Sequence, residues 1–556
     1  MPRADNPRAV AMTLGRFIDE LARAHGERQA LISKSDVTSF ADLKTASDMI
    51  AKGLAAISVG KGTRVGLLMP NRCDWLACAV AAYKLGALLV PLNTLLRAPE
   101  LEYALRFADV AVLIAVGQFL RHDYLEILRD LCPEVDSAAK PLMSPRLPAL
   151  RHLIVAEERI PRAARSFASL VDGGKGLSDA WLAAAMEAVS PDDPATVFFT
   201  SGSTASPKGV VHTHAGMLAA AQNVADRLGL DDNDRTWGYL PFFFTGGLVA
   251  VALATLSRGG AVLLQEVFEP GATIDLLSQH GGTTFFAWPH QAEALVSHPD
   301  FATKPLQLRK GPGAQAAWAA KVFAAPHQAV GTWGMTETGP MAASTRFDDP
   351  LEDRTGAHGR PMPGLEFRIV EPESGHVLDA GQEGELCVRG SSLMAHYYKM
   401  SPSECFDANG FFHTGDLASI DSKGLLHFVG RIKDVIKTAG VNVAAADVEA
   451  VLLQHPAVTV AHVVGVAHAT RGENVAAFVV CNDAACSDED LMDFCRQRLA
   501  AYKVPRHVFV CAESELPALG SGKVDKRALR QRAAKSLAAR EEASAPSPKH
   551  GPAKPS

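Results

Sequence analysis

Between residues 195 and 209 the chain reads Ala195-Thr196-Val197-Phe198-Phe199, then Thr200-Ser201-Gly202-Ser203-Thr204-Ala205-Ser206-Pro207-Lys208-Gly209. An apolar run, predicted to be a buried strand, opens into small hydroxylated residues, a glycine and one lysine. Small residues let backbone N–H groups come close to an anion, hydroxyls add donors, and a lysine adds a point charge. That chemistry suits a polyphosphate. The segment is not an ordinary P-loop, which needs G-x-x-x-x-G-K-[ST], because Lys208 precedes Gly209 and Val210 follows. Taken alone, it also fits an exposed turn. Other local patterns carry less. Gly311-Pro312-Gly313-Ala314-Gln315-Ala316 satisfies G-x-G-x-x-A, but Leu308-Arg309-Lys310 makes a poor buried strand. A dinucleotide site would also place an acid about 20 residues further on, and none stands between Ala329 and Met335. His212-Thr213-His214 lacks a third metal ligand nearby and reads as a loop or a helix start. No G-x-S-x-G is present, so an esterase elbow is unsupported.

Four further segments follow in order: Gly331-Thr332-Trp333-Gly334-Met335-Thr336-Glu337, His413-Thr414-Gly415-Asp416, Gly430-Arg431-Ile432-Lys433-Asp434-Val435-Ile436-Lys437-Thr438-Ala439-Gly440-Val441-Asn442, and Leu516 to Arg527 around Gly520-Ser521-Gly522-Lys523. With the hydroxyl-rich loop they resemble the motifs of the adenylate-forming ligase superfamily, the AMP-dependent synthetases and ligases that include acyl-CoA synthetases and fatty-acid–CoA ligases. The resemblance runs over about residues 15 to 535. The chain departs from the usual T-S-G-T-T-G-x-P-K-G at Ser203, which keeps a hydroxyl, and at Ala205, which removes backbone freedom.

What the resemblance implies is specific. Thr200, Ser201, Gly202, Ser203, Thr204 and Lys208 surround the phosphates of ATP. Trp333 and Gly334 lie beside the adenine with Gly313 and Ala314, Thr336 meets the α-phosphate, and Glu337 holds Mg²⁺ with Thr200. The chemistry is sound, since Mg²⁺ favours carboxylate, hydroxyl and phosphate oxygens and keeps several waters. Asp416 binds both ribose hydroxyls, a role open to an acceptor-only carboxylate. Arg431 meets the nucleotide and Lys433 is the hinge pivot. Lys437 and Gly440 lie on the loop used in thioester formation, with Lys437 among the catalytic residues. Lys523 is the catalytic lysine, whose ammonium bridges the repelling carboxylate and phosphate. The basic-Thr pair that usually precedes it is Ala518-Leu519 here.

The implied activity is an ATP- and Mg²⁺-dependent acyl-CoA synthetase that activates a carboxylic acid as acyl-AMP and passes it to coenzyme A. Pro241-Phe242-Phe243-Phe244-Thr245-Gly246-Gly247 aligns with the acyl pocket, assigning Phe243, Phe244, Thr245 and Gly246 to the substrate. Amino-acid-activating relatives place an Asp there for the substrate ammonium. This segment has no acid, so a buried ammonium would lack its partner. An aromatic wall, with Gly246-Gly247 leaving space, suits an apolar acid, with a fatty acid expected. An aryl or other unusual acid–CoA ligase, and an acyl-AMP ligase charging a carrier-protein thiol, are the alternatives. A binding protein with a decayed site would not need Thr200, Glu337, Asp416 and Lys523 together.

These residues require a scaffold. Arg64 to Met69, Ala87 to Val90, Val110 to Val116 and Ala261 to Gln265 are predicted strands. They alternate with helical spacings at Phe17–Ala22, Ser47–Ile57 and Trp75–Leu85, which implies parallel sheets covered on both faces. Leu365–Val370, Glu385–Val388 and Leu425–Val429 are predicted as a small antiparallel β-rich subdomain. A new unit of helices Ala446–Gln454 and Asp488–Leu499 and strands Val458–Val466 and Asn474–Val480 follows. The expected organisation is a large α/β N-terminal domain over 1–430, a small mobile α+β domain over 431–535 carrying Lys523, and a disordered tail over 536–556. Pro133–Pro148 reads as a surface excursion.

The 556 residues, 47% hydrophobic and 21% charged, fit about two to four folding units at roughly 150 residues each. A net charge of −6 argues against a general nucleic-acid binder. Nine cysteines without C-x-x-C are too sparse for a disulfide scaffold, so a reducing cytoplasm is expected. The N-terminus does not read as a secretory signal. Thr236–Ser257 carries no charge, but Pro241 and Gly246-Gly247 break it, and it reads as a buried strand–loop–helix rather than an integral membrane segment. The expected partners are the acid, ATP and CoA, with a homodimer left open.

Overall fold

The computed structural model describes residues 12–137, 140–157, 160–200, 207–316, 318–324, 327–438, 441–468, 472–482, 486–499, 501–519 and 523–544. At 433, 437, 441–442 and 539–544 it describes the backbone alone. Packing divides the chain into two compact units. The first takes the residues up to Arg368 with Cys387–His413 and Ile420–His427; the second takes Ile369–Leu386, Thr414–Ser419 and the residues from Phe428 on. The division is therefore not the single cut at 430 read from the chain, because packing and not chain order decides membership.

The first unit is built on two sheets. One has eight strands in the order His396–Tyr397, Lys208–Thr213, Pro194–Thr200, Leu88–Pro91, Arg64–Leu68, Val112–Ala115, His152–Val155 and Arg165–Ser166. From Pro194–Thr200 onward the pairs are parallel, and the two strands before it run antiparallel. Leu88–Pro91 and Val112–Ala115 are buried along their length, as two covered faces demand. The helices Phe40–Ala56 and Cys73–Lys84 pack here, and the second is buried from Trp75 to Lys84. Lys84 ends inside, and its ammonium is paired with Asp19 at 2.7 Å and with Asp48, which ties three helices together. A charge so buried persists only when paired.

The other sheet orders Thr284–Phe286, Arg235–Gly238, Ala261–Leu263, Gln29–Ile32 and Val37–Ser39, parallel except for the last pair. Thr236–Ser257 forms the buried passage expected: a strand, a turn, and a helix over Gly246–Leu253 continued by Ala254–Leu256. Gly246–Leu253 is wound as a π-helix, with the Ala254 N–H donating to the Val249 carbonyl. No described helix is long and apolar enough to cross a membrane.

Two expectations change. Pro133–Pro148 is not a mere excursion, because Val135, Leu142 and Leu147 are buried in the first unit's core. Only part of it faces water, Met143 among its apolar residues. The segment around His413–Asp416 lies in a nine-residue strand, Phe412–Ile420. With Leu365–Val370, Gly384–Gly390 and Leu426–Arg431 it makes a four-stranded sheet, in which it lies between the latter two. Alternating burial along it outweighs the turn preference of Gly415-Asp416. Finally, the helix Lys526–Ser544 runs past the predicted start of the tail at 536. Leu537 packs against the cluster of Val464, Phe478, Leu529 and Ala533, which gives the first part of that stretch something to bury. Residues 545–556 lie outside the described residues.

In the second unit, a five-stranded sheet places Val441–Ala444, Val435–Thr438, Gly472–Cys481 and Val458–His468 in order. His507–Val510 pairs in parallel with Gly472–Cys481. One face packs on the helices Ala445–Leu452 and Asp488–Arg496, the other on Lys526–Ser544.

Two buried histidines set an acid limit on the first unit. His214 starts the helix His214–Leu228; its Nδ1 accepts the Leu14 N–H at 3.3 Å. His212, two residues earlier, donates from Nε2 to the Thr336 carbonyl at 2.7 Å. Burial pushes each imidazole down to about 4. The unfolded chain holds them near 6.5, so it binds the proton first. Their contribution is whole above pH 6.5 and is lost as pH falls from there toward 4, on the order of 3 kcal/mol each. His214→Asn should lose less unfolding free energy than wild type in urea titrations between pH 7 and 4.5. Equal losses would contradict the assignment.

Candidate active site

The hydroxyl-rich loop joins two antiparallel strands, Pro194–Thr200 and Lys208–Thr213, and the register sets Thr200 opposite Lys208. The strand before the loop is buried from Ala195 to Phe198, and the hairpin carries Thr200 and Lys208 at its loop end. Ser201, Gly202, Ser203 and Thr204 lie outside the described residues. Lys208 lays its ammonium over the ring of Tyr397, 4.4 Å from the centroid. Tyr397 comes from the short strand His396–Tyr397, which pairs Tyr397 with Val210. Its hydroxyl donates to Glu337 Oε1 at 2.9 Å.

Glu337 is buried, 7% exposed, in a 3₁₀ turn over Thr336–Thr338. The turn joins two antiparallel strands, Thr332–Met335 and Gly339–Ser344. Gly334 is required there, since a Cβ would lie 2.6 Å from the Pro340 oxygen. Two bonds fix the turn from outside: His212 to the Thr336 carbonyl, and the Met394 N–H to the Glu337 carbonyl at 2.7 Å. Trp333 is buried and meets Phe367 edge-on, with ring centroids 5.7 Å apart. The structure thus links Lys208 and Glu337 through Tyr397, with Thr200 paired to Lys208 in the sheet and Thr336 next to Glu337 in its turn. The site's oxygen donors, a carboxylate and two hydroxyls, suit Mg²⁺, and among the described residues no cation forms an ion pair with Glu337 to compete.

The Gly313 and Ala314 N–H groups both donate to the Val330 carbonyl, at 3.0 and 3.1 Å. The G-x-G-x-x-A pattern here has no strand-to-helix turn. Only single bridges at Lys310 and Pro312 form, and Lys310 is buried in an ion pair with Asp234 at 2.7 Å.

The predicted acyl-pocket residues are also brought together. Phe243 and Phe244 pack 4.7 Å apart, and Phe244 meets Trp288 edge-on at 6.5 Å. Phe243 and Thr245 are buried, while Phe244 and Gly246 are half-buried. Gly247 does not leave the space expected of it. A Cβ there would lie 2.2 Å from the Pro241 oxygen, so the position serves a close backbone approach.

In the second unit Asp416 is 2% exposed. Arg431 holds it through Nε at 2.7 Å and reaches the Thr414 carbonyl through Nη1 at 3.0 Å. Lys433 lies in the 3₁₀ turn Ile432–Asp434 and Lys437 on the strand Val435–Thr438; their side chains, and Gly440, lie outside the described residues. Asp434 of this segment pairs with Arg530 at 2.7 Å. Lys523 is exposed beside a bridge between Ala518 and Val524. Its carbonyl accepts the Leu519 N–H at 2.7 Å, while Asp525 caps the following helix through the Arg527 and Ala528 N–H groups. The backbone of Lys523 is thus anchored on both sides and its side chain reaches solvent.

Sequence reasoning missed Tyr397, His212 in its bonding role, and Trp288. Tyr397 lies far along the chain from both Lys208 and Glu337, and no local pattern marks it; only sheet register joins them.

The AMP-binding enzyme model matches residues 18–398, and the AMP-binding enzyme C-terminal domain model matches 447–523. The chain is 33% identical over 537 residues to the putative acyl-CoA synthetase YngI of Bacillus subtilis (strain 168), covering 94% of this chain and 97% of that protein. It is 30% identical over 538 residues to the mitochondrial medium-chain acyl-CoA ligase ACSF2 of Bos taurus, covering 93% and 87%. Among solved structures, the anthranilate CoA ligase AuaEII in complex with anthranoyl-AMP superimposes with a TM-score of 0.82 at 25% identity, over 96% of this chain and 99% of that one.

Proposed function

The chain belongs to the AMP-binding enzyme family and is an AMP-forming acid–CoA ligase using ATP and Mg²⁺, and on that footing we propose that its substrate is a hydrophobic, fatty-type carboxylic acid. The observation that carries this is the wall of Phe243 and Phe244, in a stretch from Thr236 to Ser257 without one charged side chain, which Trp288 meets edge-on from outside that stretch. An apolar tail gains from leaving water there, while a second charge on the acid would be buried unpaired. ACSF2 is a medium-chain acyl-CoA ligase by name, which agrees; AuaEII acts on anthranilate, and its likeness supports an aryl acid as the second reading, since an edge-on Phe244–Trp288 pair also suits a ring.

The proposed roles follow from the residues. The substrate carboxylate attacks the α-phosphorus of ATP and pyrophosphate leaves, giving acyl-AMP. The thiol of CoA then attacks the acyl carbon, AMP departs, and the thiol proton passes to solvent. Lys208, with the loop Ser201–Thr204, cradles the phosphates. Glu337 and Thr200 hold Mg²⁺, which when bound neutralises phosphate charge. Thr336 bonds the α-phosphate, Trp333, Gly334, Gly313 and Ala314 seat the base, and Asp416 with Arg431 holds the ribose. Lys523 bridges carboxylate and phosphate, Lys433 is the pivot, and Lys437 and Gly440 serve thioester formation. Positioning and charge neutralisation supply the rate, since no covalent enzyme intermediate is required. The nine free cysteines suit a reducing compartment, and the cytoplasm is proposed.

Pyrophosphate exchange across straight-chain, aryl and amino acids tests the substrate class. Exchange led by medium or long straight-chain acids supports it; exchange confined to aryl acids selects the second reading. A Cβ at Gly246 would meet only Leu240 Cδ1, at 3.2 Å. Gly246→Leu should therefore lower kcat/KM for the longest accepted acid by about tenfold or more while sparing short ones. A uniform loss across chain lengths would remove Gly246 from the pocket.

A further inference from the structure

We propose that Tyr397 is a positioning residue that keeps Lys208 and Glu337 apart and ready for a magnesium–nucleotide, a role that rests on the assignment of Glu337 to Mg²⁺ above. A lysine and a glutamate brought together in a poorly hydrated site attract strongly, and a direct ion pair between them would have to break each time the nucleotide bound. Among the described residues no such pair forms. Instead one side chain serves both. The Tyr397 ring gives the Lys208 ammonium a cation–π seat at 4.4 Å, and its hydroxyl gives Glu337 Oε1 a hydrogen bond at 2.9 Å. The aromatic ring stands between the two charges as a spacer.

The spacer is itself held. Tyr397 is 8% exposed, its N–H bonds to Cys405 Sγ at 3.4 Å, and its ring meets Phe412 edge-on at 6.4 Å. The loop that carries it is fastened to the same turn a second time, through Met394 to the Glu337 carbonyl. The second oxygen of Glu337 is left to a cation, and Lys208 keeps its charge for phosphate. Arranging these groups beforehand spares the ordering that binding would otherwise require.

Two substitutions separate the two functions. Tyr397→Phe keeps the ring under Lys208 and removes the hydroxyl from Glu337; Tyr397→Leu removes both. ATP binding is measured by calorimetry over a series of Mg²⁺ concentrations, without acid, for wild type, both variants and Glu337→Gln. For Tyr397→Phe, the Mg²⁺ concentration for half-maximal tightening should rise about three- to tenfold, with metal-free ATP affinity unchanged. Tyr397→Leu should add a loss of metal-free affinity through Lys208. If Glu337→Gln raises the Mg²⁺ requirement and Tyr397→Phe does not, the positioning role is wrong. If Glu337→Gln leaves the requirement unchanged, the metal assignment itself fails. Tyr397→Phe changes one atom, so this arm stands even where Tyr397→Leu fails to fold.

Discussion

Lys523→Ala is expected to slow acyl-adenylate formation by about 10²- to 10³-fold while leaving ATP affinity within about twofold. Two anions must meet in that step, the acid and the α-phosphate, and their repulsion is largest in the transition state. An ammonium reaching both offsets a repulsion that peaks there, so its removal lowers rate more than ground-state binding. The structure suits this division. Lys523 sits on a backbone pinned by the Leu519 bond and by the capped helix after Asp525, while its side chain is exposed. The variant should thus fold normally. Pyrophosphate exchange and ATP calorimetry read the two halves separately, and synthetic acyl-AMP supplied with CoA should still yield thioester. Normal exchange would show that another group bridges the anions.

Asp416→Asn is expected to weaken ATP binding by about 30- to 100-fold and to erase the preference for ATP over 2′-deoxy-ATP. A carboxylate accepts from both ribose hydroxyls, whereas an amide turns one acceptor into a donor facing a donor. The same change breaks the 2.7 Å pair to Arg431. Because Arg431 is partly exposed, water replaces some of that contact, and a stability loss of about 1–2 kcal/mol is expected beside the binding loss. Calorimetry with both nucleotides and a urea titration check the two effects. A variant that still discriminates against 2′-deoxy-ATP would place the ribose elsewhere.

Much of the scaffold was readable because its signals are local. The apolar runs at 64–69, 87–90 and 195–199 read as strands because they are short and bounded by turn signals. The strand entering the hydroxyl-rich loop was readable for the same reason, whereas its partner Lys208–Thr213 was not. What stayed hidden depends on pairing at long range. Phe412–Ile420 contains turn-type residues yet is a strand, because ladder partners decide its fate. Gly247 looked like spare volume and is a point of backbone contact, a fact visible only once Pro241 is placed beside it. Tyr397 is one tyrosine among seven until the sheet sets it against Val210 and hence between a lysine and a glutamate. Likewise the helix to Ser544 was hidden by a composition of Ala, Arg, Lys and Glu that reads as a tail but also favours helix once Leu537 has a core to join.

The π-helix over Gly246–Leu253 bears on how this stretch withstands a change of length. A helix bonded five residues back instead of four carries surplus chain within its turns. An in-frame loss of one codon there can be absorbed by rewinding, without unravelling the strand Arg235–Gly238 or the helix end at Leu256. The flanking residues, Phe244 and Thr245 included, would then keep their places while the turns between tighten. The widened turns thus give this stretch a tolerance to shortening that an ordinary helix lacks.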